Sequence, residues 1–213
     1  MITKKRIALC IFSVCFLLTF SFGQHLEKKE YKSMVEALKN PEKVFRLNLS
    51  NQAVKIKPED WRKFINLEYL NLKNDHLKEF PIEITSLKNL KQIDLSGNDF
   101  MQLPQEFSNL INLEEIFLNE EKRMDLPKTL KVLAQLPNLK SLHLENDNLS
   151  SLPVEINSFK NLEKLYLNEN KFKVVPKIES LDHLQYLDLK NNKINLKLQQ
   201  EFENINFGFK INF

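Results

Sequence analysis

A six-residue pattern, Leu-x-x-Leu-x-Leu, recurs along this chain and constrains its fold more than any other feature. Its copies begin at residues 44, 67, 90, 113, 139, 162 and 184, with Val or Ile replacing Leu at some positions. Successive starts are 23, 23, 23, 26, 23 and 22 residues apart. A fixed period of this length is typical of a solenoid, in which each repeat packs only against its neighbours. We therefore predict one stacked domain.

Each repeat carries two further features after the strand pattern. A polar side chain follows three residues beyond most strand cores, at Gln52, Asp75, Asn98, Asp147, Asn170 and Asn192. An inward side chain of this kind can bond backbone groups of neighbouring turns that would otherwise be buried unpaired. Glu121 is the poor fit at this position. Proline then opens a short helical or irregular segment at Pro81, Pro104, Pro127 and Pro153.

These motifs resemble those of the leucine-rich repeat family in its 23-residue form, and the resemblance covers residues 44 to 213. It implies an α/β solenoid, a horseshoe with a parallel sheet on its concave face and helical or irregular connections on its convex face. We interpret residues 44 to 201 as seven repeats. Trp61 occupies the position of Ile84 and Phe107 in later repeats and is predicted to lie in the core.

Both ends of such a stack need a cap. Residues 24 to 43 predict an N-terminal helical cap, in which Tyr31, Met34, Val35 and Leu38 recur at helical spacing, Ser33 caps the helix and Asn40-Pro41 ends it. Residues 202 to 213 predict a truncated repeat that forms a C-terminal strand cap. This combination resembles the secreted leucine-rich repeat proteins of spirochaetes and other Gram-negative bacteria.

The first 23 residues have the order of a secretory signal peptide. Three cations at residues 4 to 6 precede an apolar run over residues 7 to 20, and small residues stand at Ser21 and Gly23. A retained membrane anchor would need about 20 apolar residues. A lipoprotein would use Cys15, which lacks a small residue just before it. We expect export, with the protein secreted, on the cell surface or in the periplasm.

Composition excludes several classes of function once this segment is removed. The remaining 190 residues carry 28 basic and 28 acidic groups, no cysteine and only Gly97 and Gly208 as glycines. This excludes a disulfide scaffold, a thiol nucleophile and a Gly-rich phosphate loop. Balanced charge argues against nucleic-acid binding. We expect no cofactor, no small-molecule substrate and no membrane attachment.

The predicted concave face offers one candidate binding surface. Alternate strand residues face opposite sides of a sheet, so Phe117, His143 and Tyr166 are expected side by side on three neighbouring strands. Around them we place Glu115, Glu145, Lys164, Asn168 and Tyr186, with Tyr69 as an outer candidate. Aromatic residues on a polar sheet anchor protein interfaces. The alternative is cross-strand packing that only stiffens the sheet.

Repeat four departs from the pattern. Because Glu121 and Arg123 stand at positions that usually face inward, we expect residues 119 to 125 to loop out. A candidate specificity loop then comprises Glu120, Glu121, Lys122 and Arg123. Three extra residues lengthen the segment over residues 133 to 137. The alternative is neutral drift at a tolerant surface.

No arrangement of residues predicts an enzyme. The histidines at 25, 76, 143 and 183 occur singly, without metal-ligand spacing, so we expect solvated histidines and no metal site. No serine stands in a recognisable nucleophile turn. The resemblance implies a secreted, non-enzymatic module that binds a protein partner, including a host or cell-surface protein. The competing hypothesis is a self-associating structural or envelope protein, favoured if residues 205 to 213 form an exposed strand edge.

Overall fold

The computed structural model describes residues 28–53, 56–178, 180–195, 197, 199–200 and 208–213. The predicted signal peptide and residues 202–207 of the predicted C-terminal cap lie outside the described residues. No helix in the described part of the chain is long and apolar enough to span a bilayer.

Within these residues, nine short strands form one parallel sheet in chain order. Strands β1 to β9 span Glu30–Tyr31, Arg46–Asn48, Tyr69–Asn71, Gln92–Asp94, Glu115–Phe117, Ser141–His143, Lys164–Tyr166, Tyr186–Asp188 and Lys210–Asn212. Equivalent residues of successive repeats are in register, so that Phe117 pairs with His143 and His143 with Tyr166. The solenoid predicted from the period is confirmed.

The core runs continuously through the stack. The middle residue of each repeat strand points inward and is fully buried, as at Leu47, Leu70 and Ile116. The convex segments return further apolar side chains, including Phe107, to the same cluster. Trp61 is 2% exposed, which confirms its predicted place in the core.

The convex face is built mainly from short helical segments that follow proline. Three 3-10 helices span Ile82–Ser86, Gln105–Asn109 and Val154–Ser158, and helix α2 spans Pro58–Trp61. Repeat four, which is three residues longer, has instead the eight-residue helix α3, Leu126–Leu133. The Asp125 side chain caps α3 by accepting a hydrogen bond from the Lys128 backbone N–H at 3.2 Å.

The N-terminal segment differs from its predicted form. Helix α1 covers only Met34–Ala37 and is followed by a 3-10 turn over Pro41–Lys43. Tyr31 lies in β1 and pairs with Leu47, because the backbone there extends the sheet by one strand. Val35 is 75% exposed. The expectation that Tyr31 belongs to the helical cap was therefore wrong, whereas Val35 lies on α1 but faces solvent. Ser33 precedes α1, but its side chain makes no capping bond.

An internal ladder of polar side chains connects the repeats. Asn98 Nδ2 donates to the carbonyl oxygens of Leu72 at 2.9 Å and Leu95 at 2.6 Å. Asn98 Oδ1 accepts the backbone N–H groups of Asp75 at 3.2 Å and Leu77 at 3.0 Å. Asn170 bonds its neighbours in the same way. These bonds satisfy backbone groups of adjacent turns that the core would otherwise leave unpaired.

The two ends of this ladder show that position alone does not decide burial. Asn192 is partly buried, and its Oδ1 accepts a hydrogen bond from the Phe172 backbone N–H at 3.0 Å. Gln52 is exposed, and its amide donates to the Lys32 carbonyl at 3.1 Å. Gln52 is therefore not the inward substitute that its position predicts.

Glu121 also corrects the prediction, because it lies in the ladder and not in a loop. The side chain is 6% exposed, and its Oε1 accepts the Asn98 backbone N–H at 2.8 Å. The Glu121 backbone N–H donates to Asp147 Oδ1 at 2.7 Å. Burial raises the pKa of Glu121 to about 8 and that of Asp147 to about 7. A carboxyl group that keeps its proton can occupy the position of an amide, which explains why Glu121 points inward instead of looping out.

Candidate functional site

Four aromatic rings stand side by side on the concave surface of β5 to β8. The Phe117 and His143 ring centroids are 3.9 Å apart at an interplanar angle of 22°. His143 and Tyr166 follow at 4.0 Å and 7°. Tyr186 continues the row at 5.5 Å from Tyr166, tilted by 55°. We call these four residues the ring stack.

His143 is the central member of the ring stack and is 7% exposed. Its Nε2 lies 2.9 Å from Glu115 Oε1, and its Nδ1 lies 3.4 Å from Glu145 Oε2. Burial alone would lower the pKa of His143, but the hydrogen bonds and charges of both glutamates outweigh it and raise the pKa. The imidazole lies between the rings of Phe117 and Tyr166, an arrangement that also favours its protonated form. The prediction of a solvated His143 was therefore wrong.

Glu145 ties this cluster to the neighbouring strand. Its Oε2 accepts a hydrogen bond from Asn119 Nδ2 at 2.7 Å, and its backbone N–H donates to Asn119 Oδ1 at 2.9 Å. The hydrogen bond from His143 lowers the pKa of Glu145. Asn119 was not among the predicted site residues, although its position two residues after Phe117, the last residue of β5, could have indicated it. The cluster is thus held in one conformation by side chains of both strands.

The tyrosines present the more accessible part of the surface. Tyr166 and Tyr186 are both partly exposed. The Tyr186 hydroxyl donates a hydrogen bond to Asp188 Oδ2 at 2.9 Å. Burial is the main cause, and this hydrogen bond the second, of a rise in the pKa of Tyr186 to about 12. Burial also raises the pKa of Tyr166, and the charges of Glu115, Asp188 and Glu145 add to the effect. Asp188 therefore belongs to the site, although it was not among the predicted site residues.

Tyr69 does not join the ring stack. It lies on β3, where the Arg46 guanidinium carbon is 4.0 Å from the centre of its ring. Arg46 Nη2 also approaches Glu30 Oε2 at 3.5 Å. Lys164 lies on β7 beside the ring stack and is exposed. The predicted surface thus divides into a main group on β5 to β8 and a separate arginine–tyrosine pair on β2 and β3.

The residues of the predicted specificity loop do not form one surface. Glu120, Lys122 and Arg123 are exposed, whereas Glu121 is buried in the ladder. Glu120 Oε1 lies 3.7 Å from Lys73 Nζ, which connects the concave edge of repeat four to that of repeat two. Met124 is partly buried and packs against the core, where the pattern had suggested Arg123. Of these four residues, Glu120 is connected to the ring-stack region, because its backbone N–H donates to the carbonyl of Glu145 at 3.0 Å.

The described residues contain no group of three or more His, Asp or Glu side chains that could hold a metal ion. Ser141, which neighbours His143 in sequence, is buried within β6. The chemistry that the geometry does display is an aromatic row with carboxylates on its flanks. Aromatic side chains beside polar groups are typical of surfaces that contact a protein partner.

A parallel sheet in chain order, with proline-led helical segments behind it and an asparagine ladder inside, defines a repeat solenoid. A model described as a leucine-rich repeat region matches residues 32–141, and a second model, leucine rich repeat, matches residues 137–194. The chain belongs to the leucine-rich repeat family. The leucine-rich repeat fold is typical of protein-protein interaction modules.

Two solved structures are similar to this chain. A leucine-rich repeat protein of Leptospira interrogans is 34% identical, with a TM-score of 0.62, and the match covers 78% of this chain and 48% of that one. A chain of the Toll–Spätzle complex of Drosophila is 20% identical, with a TM-score of 0.58, and the match covers 71% of this chain and 20% of that one. This chain therefore spans about half of the Leptospira protein. A search of curated protein sequences finds no match.

Proposed function

We propose that this protein is a secreted, non-enzymatic binding module whose concave face, over β5 to β8, holds a protein partner. The observation that carries the proposal is the ring stack. It places partly exposed aromatic side chains on a face of the sheet where the other outward-facing residues are mostly polar. Large aromatic side chains supply most of the binding energy at protein interfaces, so they mark the best anchor on this face.

The rigidity of the surface supports the same function. The ring stack is fixed by ring contacts and by the bonds of His143 to Glu115 and Glu145. The strands below are joined by the internal ladder. A partner that docks on a surface already ordered loses less conformational entropy on binding.

Export and the source of the partner are the finer parts of the proposal. The order of charges, apolar residues and small residues over residues 1 to 23 supports export. The likeness to a Leptospira leucine-rich repeat protein supports a bacterial origin, and with export it favours a host or cell-surface protein as the partner.

A pull-down from envelope and host-surface extracts tests the proposal. The bait protein is compared with a variant that carries Phe117→Ala, Tyr166→Ala and Tyr186→Ala. His143 is retained, because it is buried and its loss would disturb the sheet. The matched control carries Val35→Ala and Val154→Ala, which truncate apolar side chains that are 75% and 76% exposed away from β5 to β8.

We expect the parent and the control variant to retain the same partner and the ring-stack variant to lose it, with all three equally folded by circular dichroism. Retention by the ring-stack variant would show that another face binds. Capture of the chain itself, with a mass that rises with concentration in size-exclusion chromatography, would support the self-associating structural protein instead.

A further inference from the structure

On the concave face near the N-terminus, the side chain of Arg46 is held between a carboxylate and an aromatic ring. Glu30 on β1, Arg46 on β2 and Tyr69 on β3 occupy one register across three strands. The Arg46 guanidinium lies over the Tyr69 ring, with its carbon 4.0 Å from the ring centre, and contacts Glu30 at 3.5 Å. A carboxylate and an aromatic ring thus share one arginine, which joins an ion pair to a cation–π contact.

A carboxylate and a ring also stand on β4 and β5, but here they are on adjacent strands, so a cation that contacts both has to approach from above the sheet. Asp94 on β4 is in register with Phe117 on β5. His143 covers one face of the Phe117 ring, so the other face looks toward β4 and Asp94. Asp94 Oδ1 accepts the Ser96 backbone N–H at 2.9 Å. In the described part of the chain, no lysine or arginine pairs with Asp94.

The rest of the surface is also richer in hydrogen-bond acceptors than in donors. The carboxylates of Glu115, Asp188 and Glu145 lie near enough to Tyr166 for their charges to raise its pKa further after burial. Groups of this kind are satisfied by a ligand that donates hydrogen bonds.

Net charge differs between the two halves of the face in the same sense. The strand segments at 114–120, 140–146, 163–169 and 185–191 contain seven carboxylates and three lysines. The corresponding segments at 45–51, 68–74 and 91–97 contain two carboxylates and three cations. The half that carries the ring stack is therefore acidic, and it attracts a partner of positive charge.

We infer that the occupant of this surface is a basic protein segment, with an arginine side chain that lies above the sheet and contacts both Phe117 and Asp94. Arginine fits better than lysine because its planar group both stacks on a ring and donates a fork of hydrogen bonds to a carboxylate. Further cations of the segment lie along carboxylates of this half that His143 does not already contact, including Asp188. The inference rests on the proposed function and specifies its partner chemistry.

Short synthetic peptides test the inference directly. The probes are an alternating Arg-Gly peptide, its Lys-Gly counterpart and its Glu-Gly counterpart, each with a fluorescent label, titrated with the purified protein by fluorescence anisotropy. Two conservative variants remove the parts of the site separately. Asp94→Asn keeps the oxygen that accepts the Ser96 N–H, and Phe117→Leu keeps apolar volume without the ring face. Glu106→Gln, an exposed carboxylate on the convex side, is the matched charge control.

We expect the Arg-Gly peptide to bind best and the Glu-Gly peptide not to bind. Asp94→Asn and Phe117→Leu should each weaken the Arg-Gly complex by about three- to tenfold. Glu106→Gln should leave it unchanged, and added salt should weaken it. Equal binding of the Arg-Gly and Glu-Gly peptides, or full affinity in both site variants, would overturn the inference. If the pull-down partner depends on the ring stack but not on Asp94, the binding function stands and the basic partner does not.

Discussion

Replacement of Glu121 by Gln should change how stability depends on pH. The Glu121 carboxyl is buried in the ladder and its pKa is raised from 4.5 to about 8, mainly by burial. Below about pH 4.5 the carboxyl is protonated in both the folded and the unfolded chain, so its contribution to stability is fully present. As pH rises from 4.5 towards 8, the unfolded chain has lost its proton while the folded chain still holds it, so the folded state is progressively destabilised until the folded carboxyl ionises near pH 8. Gln keeps the acceptor for the Asn98 N–H and does not titrate.

The size of the effect follows from the shift. A rise from 4.5 to about 8 corresponds to an upper bound of roughly 5 kcal/mol. Local relaxation and entry of water around the ionised group reduce this, and we expect about 2 kcal/mol. The parent should therefore lose about 2 kcal/mol more than Glu121→Gln between pH 5 and pH 9. Asp147→Asn should act in the same direction, since burial also raises the pKa of Asp147.

Urea denaturation followed by circular dichroism at several pH values measures this difference. The exposed variant Glu106→Gln is the control and should follow the parent at every pH. The raised pKa of His143 gives a further loss of stability with rising pH in all variants, so the difference between parent and Glu121→Gln isolates Glu121. If the two proteins have the same pH slope, Glu121 is not a buried neutral acid and the account of repeat four is wrong.

Three further predictions concern the ladder, the site and the core. Asn98→Ala should lower the free energy of unfolding, measured by urea denaturation, by about 3 to 5 kcal/mol, because it leaves buried backbone donors and acceptors unpaired. A loss below about 1 kcal/mol would contradict the role given to the ladder. The NMR-detected pKa of His143 should lie above 6.5 and fall in Glu115→Gln; no fall would show that Glu115 does not hold the imidazolium. Phe107→Ala should cost about 3 to 5 kcal/mol in the same denaturation assay, whereas Met101→Ala, at a side chain 57% exposed, should cost under about 0.5 kcal/mol; equal losses would contradict the assigned core.

The repeat pattern predicts most of the fold because its physical basis is local. Leucines at fixed spacing have to be buried by neighbouring repeats, and this requirement alone places β2 to β8 and their register. Strand β1 could not be found in the same way. Glu30–Tyr31 lacks the pattern and is a strand only because it pairs with β2. The three extra residues of repeat four were recognised, but their folding into the longer helix α3 depends on packing against neighbouring segments.

The candidate site was predictable in its position but not in its chemistry. The alternation of strand residues placed Phe117, His143 and Tyr166 in one row. Whether the rings stack depends on side-chain rotamers, which the sequence does not specify. Likewise, Glu121 looks like a charged residue in sequence, and only its burial shows that the carboxyl keeps its proton.

Photo-crosslinking from the ring stack tests the binding function most directly. A photoreactive phenylalanine analogue replaces Tyr166 in one protein and the exposed convex Val154 in another, and each is irradiated with the extracts used for the pull-down. The account predicts one covalent partner band from position 166 that is absent from position 154. The same partner crosslinked from position 154 but not from position 166 would contradict a binding surface on the concave side of β5 to β8.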